Sequence, residues 1–177
     1  MMKWIKRILL LLLTLAALLA IVSQFLPGSY RVERSIVIKA PVEKVFPSIA
    51  DLRQWKSWGV WFERDPGMLV TYSDPPTGVG SWSNWISKQE GSGKMTIKTI
   101  DPNKGISYSL FFPDMGMNSD GTMTLAPADG GVKVTWASFG DLGRNPLNRW
   151  FGLFMERFIG PDFEGGLTRL KAKAEKT

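Results

Sequence analysis

Two pairs of carboxylates have the close spacing that general acid–base chemistry uses: Glu63 with Asp65, and Asp162 with Glu164. Asp162 follows Phe158 by four residues, so on a helix the two share a face and a carboxylate there could serve as an acid or base. The ordinary alternatives for Asp162 are a helix-start cap after Gly160-Pro161 or a surface charge. No catalytic residue is therefore assigned, and Asp162 is the single candidate. The chain contains no cysteine and no histidine. That removes thiolate nucleophiles, thiolate metal sites, disulfides, and the side chain most used for proton transfer near neutral pH. Gly78-Val79-Gly80 is not a phosphate loop, because neither a following Gly-Lys-Ser/Thr nor a helix accompanies it. No metal and no cofactor is expected.

Aromatic and thioether side chains are the richer signal, with eight tryptophans, ten phenylalanines and eight methionines in 177 residues. Trp82, Trp85, Met95, Phe111, Trp136, Phe154 and Phe158 either fill a core or wall an apolar pocket, since both uses draw on the same residue types. Trp55, Trp58 and Trp61 recur every third residue, a spacing that suits a wall at a cavity mouth or a pin holding helices to a sheet.

These groups are positioned by a regular succession of elements. Tyr30–Ala40 alternates as a strand. Pro41 to about Ala50 is a short amphipathic helix that Pro47 should bend or split, and Leu52–Trp58 is a second short helix. Strands are expected at Met68–Tyr72, Gly80–Ser87, Lys94–Ile100 and Gly105–Phe112, with Gly91-Ser92-Gly93 as a turn. Thr122–Ala126 and Val132–Ala137 form a hairpin across Asp129-Gly130-Gly131 that points Met123, Leu125, Val132, Val134 and Trp136 inward. Neighbouring strands joined by tight turns must be antiparallel. Helical period returns from Pro146 to about Ala174. One stripe is Leu147, Phe151, Phe154 and Phe158, continued by Phe163, Leu167, Leu170 and Ala174. Gly160-Pro161 should kink this helix and Gly165-Gly166 should weaken it, unless close approach to the sheet requires them.

The N-terminal segment stands apart. Ile8 to Val22 is apolar on every face, and the 23 positions from Trp4 to Leu26 make about 34 Å of helix, enough to cross a hydrocarbon core. Lys3, Lys6 and Arg7 precede it, which retains the N-terminus in the cytoplasm and exports the remainder. Pro27-Gly28 should end the helix. A cleaved signal peptide is the rival reading, but the site near Ile21-Val22-Ser23 is poor because of the bulky Val22. The expectation is a single-pass anchor in the cytoplasmic (inner) membrane over residues 1–27, with an extracytoplasmic domain over 28–177. The three N-terminal cations hold half of the formal charge of +6, and the remaining excess of three is no footprint for nucleic acid.

Strand, helix pair, antiparallel strands and long C-terminal helix, in that order, resemble the START/Bet v 1-like (SRPBCC) superfamily, in its polyketide cyclase/dehydrase-like branch. The resemblance runs from Tyr30 to Glu175. It is carried by Ile38-Lys39-Ala40-Pro41-Val42-Glu43-Lys44-Val45-Phe46, by Trp55-Lys56-Ser57-Trp58 through Trp61-Phe62-Glu63-Arg64-Asp65-Pro66, and by Gly78-Val79-Gly80-Ser81-Trp82. Ile159-Gly160-Pro161-Asp162-Phe163-Glu164-Gly165-Gly166-Leu167, followed by Leu170-Lys171, completes it. The resemblance implies an α+β helix-grip fold, a curved antiparallel sheet wrapped on the C-terminal helix, with a cavity between them. It implies a hydrophobic small molecule or lipid as ligand, with Trp82, Met95, Tyr108, Leu110, Met123, Trp136, Phe154 and Phe158 as the expected contacts. Only some members are enzymes, so a binding module is ranked ahead of a cyclase/dehydrase-type enzyme using Asp162, Tyr108 or a bound water, and ahead of a ligand-free interaction domain.

Overall fold

The computed structural model of the chain describes residues 2–176. Helix α1 (Met2–Ser23) is followed by strand β1 (Ser29–Ile38), helix α2 (Val42–Ala50) and a 3-10 turn at Leu52–Ser57. Then come α3 (Trp61–Arg64), β2 (Leu69–Tyr72), β3 (Trp82–Ser87), β4 (Gly91–Asp101) and β5 (Gly105–Phe112). β6 (Met117–Ala128), β7 (Gly131–Asp141), α4 (Pro146–Gly152) and α5 (Met155–Ala174) complete the chain. The strands form one sheet in the order β1-β7-β6-β5-β4-β3-β2, every pair antiparallel. A register shift between Ile97 and Thr99 bends β4.

Alternation along the strands decides which side is filled. Val32 and Ile38 of β1, Met95 and Ile97 of β4, Ile106 and Tyr108 of β5, and Val134 and Trp136 of β7 are buried on the concave face. Phe163, Leu167, Leu170 and Ala174 of α5 lie against them, as their stripe predicts. Trp55 and Trp58 donate their indole N–H groups to the carbonyls of Ile49 and Ser48, both at 2.9 Å. These two bonds fasten the 3-10 turn to the end of α2 and bring its tryptophans over the sheet.

Several local expectations fail for identifiable reasons. Gly91-Ser92-Gly93 is not a turn but the start of β4, and residues 88–90 turn instead. Gly93 pairs with Trp85 and is roofed by its ring, since a Cβ there would lie 2.1 Å from it. Pro47 neither splits nor ends α2. Its missing N–H frees only the carbonyl of exposed Glu43, which water can satisfy. The C-terminal helix breaks at Leu153-Phe154 rather than at Gly160-Pro161, which α5 passes through. Gly160 is there for close approach: its Cβ would stand 2.4 Å from the guanidinium of Arg34, which binds Glu156 and Glu164 of α5. Leu147, Phe151, Phe154 and Phe158 are exposed rather than in the core: the first three lie before or at the break, and Phe158 lies off the α5 face that buries Met155, Phe163 and Leu167.

α1 ends at Ser23, before Pro27-Gly28, with its last turn tightened into 3-10 bonds from Gln24, Phe25 and Leu26. Among the described residues it is the one helix long and apolar enough to cross a membrane, and its side chains are almost entirely exposed.

Candidate ligand-binding cavity

A cavity of about 330 Å³ lies between the concave face of the sheet and α5. That volume is at the lower end of the range for small-molecule sites. Its wall is almost wholly apolar, with Leu52, Trp55, Trp61, Met95, Leu110 and Trp136 among the contributors.

Aromatic packing holds the inner end in one shape. Trp136 stacks on Phe163 with ring centres 4.0 Å apart and planes within 10°. Trp55 meets Trp136 and Tyr108 edge-on at 5.6 and 5.7 Å. Gly121 and Gly166 provide the room, because a Cβ at either would lie 2.2 Å from the Tyr108 ring or 2.8 Å from that of Trp136. Such interlocked rings leave few alternative rotamers, so the cavity is largely preformed.

Polar groups are sparse and, apart from Tyr72 and Ser83, are placed in two clusters. Deep inside, the indole N–H of Trp136 donates to the Tyr108 hydroxyl oxygen at 2.6 Å. Tyr108 makes no other side-chain hydrogen bond among the described residues, so its own proton is available to an acceptor. Burial pushes the Tyr108 hydroxyl well above the ordinary tyrosine range, only partly offset by the Trp136 bond, which fixes it as a neutral donor. Beside it Ser138 links Tyr30 and Ser119 at 3.4 and 3.2 Å. At the rim, Arg64 of α3 donates to both oxygens of Asp162 at 2.5 and 2.9 Å and to both of Glu90 at 2.7 and 2.8 Å. The hydrogen bonds that Arg64 donates to Asp162 and then to Glu90 raise its value further above its already high norm, so the charge is permanent. Together with the Arg169–Glu63 ion pair, this straps α3 across α5 and the β3–β4 turn.

Residues 29–175 match the family described as polyketide cyclase / dehydrase and lipid transport. The chain belongs to that family. Solved structures show the same fold at low identity. A protein from Mesorhizobium loti, MLL2253, is similar with a TM-score of 0.59 and 18% identity, covering 83% of this chain and 98% of its own. SA2116 from Staphylococcus aureus, titled a protein of unknown function, gives 0.64 at 11% identity, covering 83% and 94%. The di-domain ARO/CYC StfQ from the steffimycin biosynthetic pathway gives 0.60 at 13% identity, covering 83% of this chain and 51% of that one. A comparison with curated protein sequences finds no match.

Within this cyclase/dehydrase and lipid-transport fold, the expected contact residues divide. Met95, Tyr108, Leu110, Trp136 and Phe158 all border the cavity. Trp82 faces the other side of β3, where Lys94 lies over its ring at 5.3 Å, because Ser83 and Trp85 hold the inward parity. Met123 is fully buried in the core, and Phe154 is half-exposed beside Phe158 outside the cavity. Of the tryptophan trio, Trp55 and Trp61 border the cavity, and Trp58 is buried behind them against Trp136. Asp162 is neither cap nor free acid: it is mid-helix, borders the cavity, and has both oxygens taken by Arg64. Arg64 and Glu90 carry no periodic signal of their own. Only the closure of α3 onto α5 reveals them.

Proposed function

We propose that the chain is a membrane-tethered binding domain that holds a hydrophobic small molecule or lipid between its sheet and α5. The observation that carries this reading is a preformed apolar cavity with a buried neutral hydroxyl, Tyr108, among the few polar groups of its wall. The apolar wall would select an apolar molecule, and Tyr108 would bind a carbonyl, ester or ether oxygen on it. Residues 1–27 supply the tether in this reading. In this reading residues 28–177 are the folding unit, which is supported by a hydrophobic core whose residues all lie at Tyr30 or beyond.

A cyclase or dehydrase is the second reading, favoured by the family description and by the available Tyr108 proton. Asp162 is a poor base for it, because Arg64 occupies both carboxylate oxygens and would have to release one before a proton could be taken.

Native mass spectrometry of residues 28–177, purified gently from cells, tests the proposal. The expected result is a co-purifying apolar molecule that is absent from a Leu110→Trp variant of unchanged circular dichroism, in which the added ring fills the cavity. Equal ligand mass in both proteins, or none in either after incubation with a lipid extract, would remove the basis for a binding role.

A further inference from the structure

We infer that the mouth of the cavity rests on the surface of the bilayer that α1 spans, with α4 and the start of α5 lying in the headgroup layer. The ligand then passes between membrane and cavity without crossing bulk water. This deepens the function proposed above and rests on its reading of α1 as a membrane span.

Strand register sets the geometry. Ser29, where the chain leaves the α1 segment, pairs with Asp141 at the end of β7, and Phe139 pairs with Asp120 near the start of β6. Met117 at that start pairs with Phe112 at the end of β5. The exit from α1, the β5–β6 turn and α4 are therefore at one end of the sheet. Met115, Phe151 and Phe158, which border the cavity, belong to this same end, so the mouth opens beside the helix.

Direct bonds fix α4 to α1. The Arg149 guanidinium donates to the carbonyls of Ser23, Gln24 and Leu26 at 3.2, 2.8 and 3.3 Å, capping the helix end. The Trp150 indole donates to the Leu19 carbonyl at 3.2 Å. Leu19 is four residues before Ser23, about 6 Å further along the helix toward the bilayer. A span that includes Leu19 thus carries α4 down to the interface, the depth that tryptophan favours.

The surface at that depth has the chemistry of an interfacial contact. Leu147, Phe151, Leu153, Phe154 and Phe158 are all exposed, Leu147 by 77% and Phe158 by 56%, and the Phe158 ring meets those of Phe151 and Phe154. Around them Arg144 and Arg157 are exposed and in no ion pair among the described residues. Apolar rings flanked by free cations suit an anionic leaflet.

The absence of cysteine makes the test direct, because each introduced thiol is unique. Full-length chains carrying Leu15→Cys, Phe154→Cys or Asp129→Cys are nitroxide-labelled and reconstituted in phosphatidylcholine/phosphatidylglycerol vesicles. Collision with oxygen and with a water-soluble nickel chelate then reads the depth of each label. The expected result is a deep label at 15, a label at 154 within the headgroup and upper acyl region, and a fully aqueous label at 129 in the β6–β7 turn. A deep label at 15 with equal nickel access at 154 and 129 overturns the proposal while leaving the anchor intact, and assigns the apolar patch to a protein partner. An aqueous label at 15 overturns the anchor itself, and this inference with it.

Discussion

The indole N–H of Trp136 on β7 donates to the hydroxyl oxygen of Tyr108 on β5 across a fully buried 2.6 Å bond, two strands apart on the concave face. The bond satisfies the indole and leaves the phenol's own proton free. A buried indole N–H needs an acceptor, and burial, against the opposing effect of the Trp136 bond, keeps the phenol neutral.

Tyr108→Phe keeps the ring and strands the Trp136 donor. The expected loss is about 1–3 kcal/mol, the range for a buried donor left without an acceptor. Urea unfolding of residues 28–177 followed by tryptophan fluorescence measures it. The same variant should weaken a ligand that carries a carbonyl more than one that is pure hydrocarbon.

The same tyrosine sets an alkaline limit. Its folded-state value is raised above the ordinary ~10 of an unfolded tyrosine, so its contribution is complete below about pH 10 and is lost as pH rises through the folded value. Burial also raises Tyr72, which adds to the fall and persists in the variant. Stability measured from pH 8 to 11.5 should decline above pH 10 in both proteins. The decline in Tyr108→Phe should be shallower by up to about 1.4 kcal/mol per pH unit. Parallel slopes would place the loss elsewhere.

Gly121 and Gly166 should resist even alanine. In Gly121→Ala the new methyl would occupy the position of the Tyr108 ring, 2.2 Å away, and drive that ring into the cavity. The expected cost is about 1–3 kcal/mol of overpacking, together with reduced ligand capacity. Gly166→Ala presses on Trp136, but the better helix propensity of alanine offsets about 1 kcal/mol, so its net loss should be smaller. Thermal unfolding of the two variants side by side checks the ranking.

Arg64→Gln should loosen the strap across the cavity more than it destabilises the fold. Arg64 is nearly half exposed, so the stability loss should be within about 1 kcal/mol. With Asp162 and Glu90 left facing each other and Glu63 as the remaining ion pair of α3 among the described residues, ligand dissociation should accelerate several-fold in stopped-flow displacement of a fluorescent fatty acid. Asp162→Asn, which leaves the Glu90 bonds in place, should have the smaller effect.

Much of this architecture follows from local order along the chain. The apolar helix, the alternating strands, the inward set on β7 and the Phe163–Ala174 stripe depend on periodicity, and periodicity is a property of sequence. So is the unbroken apolar run of α1, whose length alone makes it suit a bilayer. Met95, Tyr108, Leu110 and Trp136 follow from the same alternation, because inward residues of a concave sheet must meet whatever lies inside it. What tertiary structure alone decided is where the regular pattern ends and which groups meet across it. A strand's parity does not tell which face is concave, so Trp82 could not be distinguished from Trp85 until Gly93 took a place beneath the latter. A helical stripe does not tell where the helix axis turns. The break at Leu153-Phe154 left Phe154 outside the core, Phe158 fell on the outer face of α5, and Arg149 came to the end of α1. Likewise Arg64, Glu90 and Asp162 are 26 and 72 residues apart in sequence, and a long-range ion cluster has no period to betray it. Local spacing sets elements, whereas the cavity and its rim arise from close-packed contacts between elements, which depend on shape as much as on composition.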